Sequence, residues 1–360
     1  MLVVIIGAGI IGLALARELR RRGHRVLLID RGPPAHEASW AAGGLLAPSS
    51  EAAGPGDFFE LCRASAVLYP DFTRALEEET DLPCGYRGEG TIVVYHEETE
   101  RRQLEQRFAW QRDAGIPIAH LDDRECRTLE PQLRAPGGFL LPGDCQVDNR
   151  LLCAALLESC RRNGVAFVPG EAVAVSSERD RATGVLLRDE TRLPADAVVN
   201  AAGAWAGQIA APGGAPPVRP VKGHMLAMRV DPAWLAHVVH DSAVYMAPRR
   251  DGRLIAGSTM EDVGFDRGID PAAIARLRAA AERLVPRLRH AELAETWVGF
   301  RPAFPDRRPR IGPAALPGYF LATGHFRNGI LLAPITAQLL APVIEGASPD
   351  PLLVPFLPSD

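Results

Sequence analysis

Five apolar residues, Leu2-Val3-Val4-Ile5-Ile6, open the chain and stop abruptly at Gly7-Ala8-Gly9-Ile10-Ile11-Gly12. A short, partly β-branched apolar run bounded by glycine predicts a buried strand. Leu13, Leu15, Ala16 and Leu19 then interleave with Arg17, Glu18 and Arg20 at helical spacing, and Gly23 offers a C′ residue to end that helix. A second apolar run, Val26–Ile29, ends on Asp30. Strand, helix and strand together form one βαβ unit, the start of a doubly wound sheet.

Further along, residues 58–80 and 97–115 have the spacing of amphipathic helices, with a strand predicted between them at Gly90–Tyr95. Leu151–Arg162 is predicted as a helix and Val165–Val168 as a strand returning to the first sheet. Ala197–Gly203 reads as a buried strand that ends in small residues. The Pro/Gly-rich stretch Ala211–Pro217 reads as a linker. Strand-like stretches follow near 223–230, 243–248 and 253–257, then a helix at 271–285. Gly318–Gly324 is a last buried strand, with helical 330–345 behind it. Nucleotide-type segments at both ends and in the middle predict an α/β protein. Its Rossmann-type domain is discontinuous (1–80, 145–215 and 308–360). The inserted α+β substrate domain (81–144 and 216–307) contains a mostly antiparallel sheet.

Composition narrows the function classes. Hydrophobic residues make up 47% and charged residues 23% of 360 residues, the mix of a globular enzyme with room for two packed units. The net charge of −4 and the lack of a basic stripe argue against nucleic acid as a partner. No apolar run is long enough to span a bilayer, and no signal peptide precedes the first strand, so a cytoplasmic location is expected. The six cysteines have no Cys-x-x-Cys spacing and no companion histidine, which predicts free thiols and no metal site.

Gly7, Gly9 and Gly12 fit the dinucleotide fingerprint in its proper strand–turn–helix setting. The first permits the turn, the second lets backbone approach a pyrophosphate, and the third lets the helix pack on the strand. Asp30 can accept from both hydroxyls of an adenosine ribose and would repel a 2′-phosphate. This fingerprint is common to NAD and FAD proteins. Ala38-Ser39-Trp40-Ala41-Ala42-Gly43-Gly44 then supplies small residues where an NAD domain would continue into another helix and strand. Such a run suits close approach to a flat isoalloxazine ring, although the same composition is compatible with a flexible loop. Arg301, in the apolar stretch Trp297–Pro302, needs an acid; a substrate carboxylate or an internal carboxylate would serve.

At these residues the chain resembles the glycine oxidase branch of the D-amino-acid oxidase family, the oxidases of thiamine biosynthesis. The likeness runs nearly end to end. It is carried by Gly7–Gly12, Ser39–Leu46, Asn200–Gly207, Pro220–Gly223, Tyr245–Arg249, Gly257–Met260, Gly299–Pro302 and, most specifically, Gly324–Pro334. The resemblance implies non-covalent FAD held by Gly7, Gly9, Ile10, Ile11, Gly12, Asp30 and Arg31. Further cofactor contacts are implied for Ser39, Ala42, Gly43, Gly44 and Val173, for Ala202, Gly203 and Trp205, and for His325, Asn328, Gly329, Ile330 and Leu331. It assigns the substrate carboxylate to Arg301 and Tyr245, puts Arg327 beside substrate and flavin, and makes Met260 part of the pocket wall. Ala243, Gly44 and Leu46 depart from the family pattern, which bears on pocket size.

The implied activity is oxidative deamination of glycine or another small amino acid or secondary amine. Its products are an imine, then a 2-oxo acid with ammonia or amine, and hydrogen peroxide if oxygen is the acceptor. A dehydrogenase or a sarcosine- or proline-type oxidase of the same fold are variants of this reading. A non-catalytic nucleotide-binding module is the alternative from another class. Homo-oligomerisation is left open by the sequence.

Overall fold

The computed structural model describes residues 1–358. Its first sheet runs in spatial order Arg310–Pro313, Tyr319–Thr323, Ala197–Asn200, Leu2–Ile6, Arg25–Asp30, Ala166–Pro169. Pairing is parallel throughout except at the Arg310–Pro313 edge. The strands are buried runs of Val, Ile and Leu because helices cover the sheet, as a parallel sheet requires. The helix Ile10–Arg21 ends at Arg22 with Gly23 at φ +87°, as the pattern predicts.

The helix Gly329–Ile344 is almost wholly buried although Pro334 and Pro342 lie inside it. Pro334 has no N–H to offer the Ile330 carbonyl one turn back. The Tyr69 hydroxyl, from the helix Asp57–Thr80, donates to that carbonyl instead, and Ser65 Oγ donates to the next one, Leu331 O, at 2.6 Å. A sequence-level helix breaker is thus accommodated by a tertiary partner.

The second sheet has eight strands in the order Glu292–Ala303, Arg219–Arg229, Arg253–Gly257, Tyr245–Pro248, Val238–His240, Thr91–Tyr95, Gly137–Leu141, Ala119–Asp122. Only Val238–His240 with Thr91–Tyr95 is parallel; the sheet is otherwise antiparallel. The strand Glu292–Ala303, which contains the apolar stretch Trp297–Pro302, pairs with Arg219–Arg229 along nearly its whole length. A third, three-stranded sheet (Ala172–Glu178, Arg181–Leu187, Arg192–Pro194) is absent from the sequence reading. Its first turn uses Arg179 and Asp180 at φ +48° and +57°, the left-handed pair of a tight hairpin, with none of the glycine or asparagine that marks such turns.

All six cysteines are free. Among the described residues no helix is long and apolar enough to cross a membrane, and no cluster of acidic, His or Cys side chains is arranged to hold a metal.

Candidate active site

One long cavity of about 530 Å³ runs from the first glycine turn to the face of the eight-stranded sheet. Its narrow end is built by local sequence. Ile6 pairs with both Asn200 and Ile29, so Gly7 emerges between two strand ends. A Cβ on Gly7 would meet Ala201 O at 2.4 Å, and one on Gly12 would meet Gly7 O at 1.9 Å. Only glycine fits either place. Gly9 caps the helix Ile10–Arg21 with no side chain of its own, leaving the helix N-terminus turned to the cavity. Asp30 Oδ2 accepts from Ala8 N–H at 2.8 Å and Oδ1 from Gly32 N–H at 3.0 Å, which fixes the carboxylate at the cavity wall. Burial raises the Asp30 pKa above its ordinary value, with those two amides opposing the rise. A carboxylate has lone pairs to spare for two ribose hydroxyls.

The middle of the cavity is walled by Ser39–Gly44 on one side and Ala201–Trp205 on the other, with His325 and Phe326 beyond. Several contacts hold the first wall. Ser39 Oγ accepts from Ile10 N–H at 2.9 Å, Asn149 Nδ2 donates to the Ser39 and Trp40 carbonyls, and Trp297 Nε1 donates to Ala41 O at 3.0 Å. Arg249, itself buried, donates to Gly43 O at 2.6 Å and to Gln146 Oε1 at 2.7 Å. On the second wall a Cβ added to Gly203 would meet nothing within 4 Å, so the backbone there borders open space. His325 is buried with Nε2 3.1 Å from Thr336 Oγ1, and burial drives its pKa down to about 3. The imidazole is therefore uncharged near neutral pH.

Polar side chains gather at the wide end. Arg301 Nη2 donates to Ser258 Oγ at 2.6 Å and Nη1 to Thr259 O at 3.1 Å. Its guanidinium lies across Gly223 of the neighbouring strand, where a Cβ would meet Nη1 at 2.3 Å. Among the described residues it has no carboxylate partner, and burial pulls its pKa below the ordinary arginine value. Guanidinium pKa values are high enough that it stays charged. Tyr245, on the adjacent edge of the cavity, is pushed up to about 12 by burial, with Arg301 opposing the rise. The phenol is therefore a hydrogen-bond donor; in the structure it is directed to Met225 Sδ at 3.3 Å. Arg327 Nη2 sits 3.7 Å from Glu51 Oε2, and Met260, 48% exposed, forms the rim.

The cavity thus brings together nearly all the residues named from sequence, Val173 included. Three do not reach it. Gly12 packs its Cα against the Gly7 carbonyl, Leu331 faces the hydrophobic core, and Asn328 stands at the helix N-cap position with no side-chain cap bond. Helical rotation past Ile330 turns Leu331 away from the wall. Arg31 and Trp205, both on the cavity wall, contact each other, with the guanidinium 4.0 Å from the indole ring centroid and Phe265 stacked on Trp205 at 4.8 Å. Of the departures from the family pattern, Ala243 and Gly44 border the cavity, whereas Leu46 is core. Sequence reasoning missed Glu51, Arg107 and His240, which also line the wide end. Arg107 sits in the charged helix Glu98–Asp113, where no pattern distinguishes it from solvated neighbours.

These features fit FAD. A glycine turn and a helix N-terminus whose cap residue has no side chain suit the pyrophosphate, a fixed acid suits the ribose, and two small-residue walls suit a flat ring. Comparison with known proteins agrees. The description of the FAD dependent oxidoreductase family DAO matches residues 3–342. The glycine oxidase of Pseudomonas aeruginosa PAO1 is 36% identical, covering 99% of this chain and 98% of that protein. The bifunctional protein ThiO/ThiG of Synechocystis sp. is 37% identical over 99% of this chain and 53% of its own length, so the chain spans about half of that relative. The crystal structure of glycine oxidase from Geobacillus kaustophilus superposes with a TM-score of 0.91 at 32% identity, covering 99% of this chain and 97% of that one. That of iminodiacetate oxidase from Chelativorans sp. BNC1 gives 0.91 at 30% identity, covering 99% and 98%.

Proposed function

Because the chain belongs to the DAO family of FAD-dependent oxidoreductases, we propose that it oxidises glycine or another small amino acid or secondary amine at the α-carbon. The observation that carries this reading is Arg301: a guanidinium at the cavity wall whose hydrogen bonds go to a hydroxyl and two carbonyls, with no acid paired to it among the described residues. Leaving such a charge unpaired is costly, and a substrate carboxylate held by two parallel hydrogen bonds relieves it.

In this reading Arg301 fixes the carboxylate and the protonated Tyr245 phenol adds a second donor, so the α-carbon is held in one orientation inside the cavity. FAD, when bound, supplies the two-electron acceptor. Gly43 and Gly203 keep the walls flat, and Arg249 holds the Gly43 carbonyl from behind. His325 contributes packing and no charge. The substrate amine must be neutral to form the C=N bond, and its proton leaves to solvent. The released imine hydrolyses to a 2-oxo acid and ammonia, or to an amine when the substrate is secondary.

Oxygen is the proposed acceptor, with hydrogen peroxide as product, and a cytoplasmic location is proposed with it. The likeness to glycine oxidases and to ThiO/ThiG proteins supports a role in forming the thiazole of thiamine. The residues assigned to cofactor and substrate, and the division of the chain into two domains, belong to the same proposal. The membership of the two large sheets supports that division.

The test is direct. Purified protein should be yellow and release FAD on denaturation. It should consume oxygen and form peroxide with at least one of glycine, sarcosine, D-alanine and D-proline. Anaerobic mixing that leaves the flavin oxidised with every amino acid tried would sink the reading. Flavin reduction without peroxide in air would instead move it to a dehydrogenase.

A further inference from the structure

The wide end of the cavity holds more positive charge than a single substrate carboxylate can neutralise. Arg301, Arg327 and Arg107 all line it, and Glu51 stands among them. Glu51 is 3.7 Å from Arg327. The hydrogen bonds of Arg107 go to the carbonyls of Ser50 and Ala52, and those of Arg301 to the Thr259 and Lys222 carbonyls and Ser258 Oγ. Neither forms an ion pair with a carboxylate among the described residues. Asp241 also borders the cavity, but its carboxylate accepts from the Ala243 and Val244 amides and pairs with His96. Asp144, behind the turn, accepts from the Ser49 and Ser50 amides.

The charges form one neighbourhood. Burial lowers the pKa of both Arg301 and Arg107, and each is influenced by Arg327 as a like charge and by Glu51 as an opposite one. Three guanidiniums face one available carboxylate. Arg327 is 41% exposed and keeps part of its hydration, so with a one-carboxylate substrate the uncompensated cation is Arg107, partly buried and without a carboxylate, and such a charge is unfavourable.

We propose that the site favours small amino or imino acids carrying a second carboxylate, the reacting end held by Arg301 and Tyr245 and the far end received by Arg107 with Arg327. This rests on the reading of Arg301 as the anchor for the first carboxylate. The competing role for Arg107 is purely structural, fastening the Ser50–Ala52 turn.

Binding to the FAD-loaded full chain separates these roles without turnover. Methoxyacetate and diglycolate are ethers that cannot lose hydride from an amine-bearing carbon, and they differ in the second carboxylate. Each is titrated while the flavin absorbance is followed. Diglycolate should bind about tenfold more tightly, the scale of one added charge-assisted contact. Arg107→Met should bring the ratio of the two dissociation constants toward one, Arg107→Lys should restore part of it, and Glu51→Gln should raise it. A wild-type ratio near one overturns the proposal. So does a ratio that Arg107→Met leaves unchanged, which would mark the residue as a turn fastener. If Arg107→Met cannot hold FAD, the wild-type ratio and Glu51→Gln still decide. If neither ether perturbs the flavin, the Arg301 anchor itself fails and takes this inference with it, whereas methoxyacetate binding without a diglycolate preference removes the inference alone.

Discussion

The Tyr245 hydroxyl lies directly against the Cα of Gly43: a Cβ built on Gly43 would sit 2.2 Å from that oxygen and 2.7 Å from two ring carbons. The ring-side loop and the phenol of the eight-stranded sheet are therefore fitted to each other through a missing side chain. Arg249, one residue past the end of the Tyr245–Pro248 strand, holds the carbonyl of the same glycine.

Gly43→Ala should accordingly displace either the loop or the phenol. Overpacking of this kind costs about 1–3 kcal/mol, and misplacing a substrate donor should lower kcat/KM by roughly tenfold to a hundredfold. Adding Tyr245→Phe should not restore activity, because ring carbons clash as well as the oxygen. Steady-state kinetics and Tm on the single and double variants check this. Full activity in Gly43→Ala would show that the phenol is not held where the structure puts it.

Arg301→Ala should lower kcat/KM for the best amino acid by about two to three decades, equivalent to roughly 3–4 kcal/mol for leaving a carboxylate without its buried partner. Arg301→Lys keeps a charge but lacks the planar two-point grip, so it should recover only part of the loss. FAD content should survive both changes. An amine substrate with no carboxylate should be affected much less. Near wild-type efficiency in Arg301→Ala would end the anchor assignment.

Asp30→Ala should weaken FAD binding by about one to two decades, the effect of losing roughly 1.5–3 kcal/mol of charge-assisted hydrogen bonding. The same change frees the Ala8 and Gly32 amides, so the glycine turn loosens as well. Flavin fluorescence titration of the apoprotein measures the affinity, and rates at saturating FAD should move far less. An unaltered dissociation constant would place the ribose elsewhere.

Asp144 provides a pH test. It is fully buried, and burial raises its pKa from 3.8 to about 6 despite amide donors from Ser49 and Ser50. The folded state then binds more protons than the unfolded state between about pH 4 and 6, so this residue's contribution to stability falls as pH rises through that window. By pH 8 the loss is on the order of 3 kcal/mol. Asp144→Asn does not titrate, so the stability of wild type relative to the variant should decline from pH 4 to pH 8. Urea unfolding of both proteins across that range measures it. A difference independent of pH would show that Asp144 is not shifted upward.

What the sequence by itself determined is local. The Gly7–Gly12 turn, Asp30 at the next strand end and the burial pattern of the principal strands and helices all follow from short-range spacing. Steric and hydrogen-bonding demands there act between residues close in the chain. Tertiary structure decided what long-range pairing controls. The strand register laid Arg301 across Gly223, and the packing of the helix Asp57–Thr80 supplied the donor that lets Pro334 stay inside a helix. The three-stranded sheet escaped notice because its Arg179–Asp180 turn takes left-handed angles without the usual residues. Arg107 and Glu51 reach the cavity only because a charged helix and a distant loop are brought against the same wall, and no local pattern distinguishes a guanidinium that faces a cavity from one that faces water.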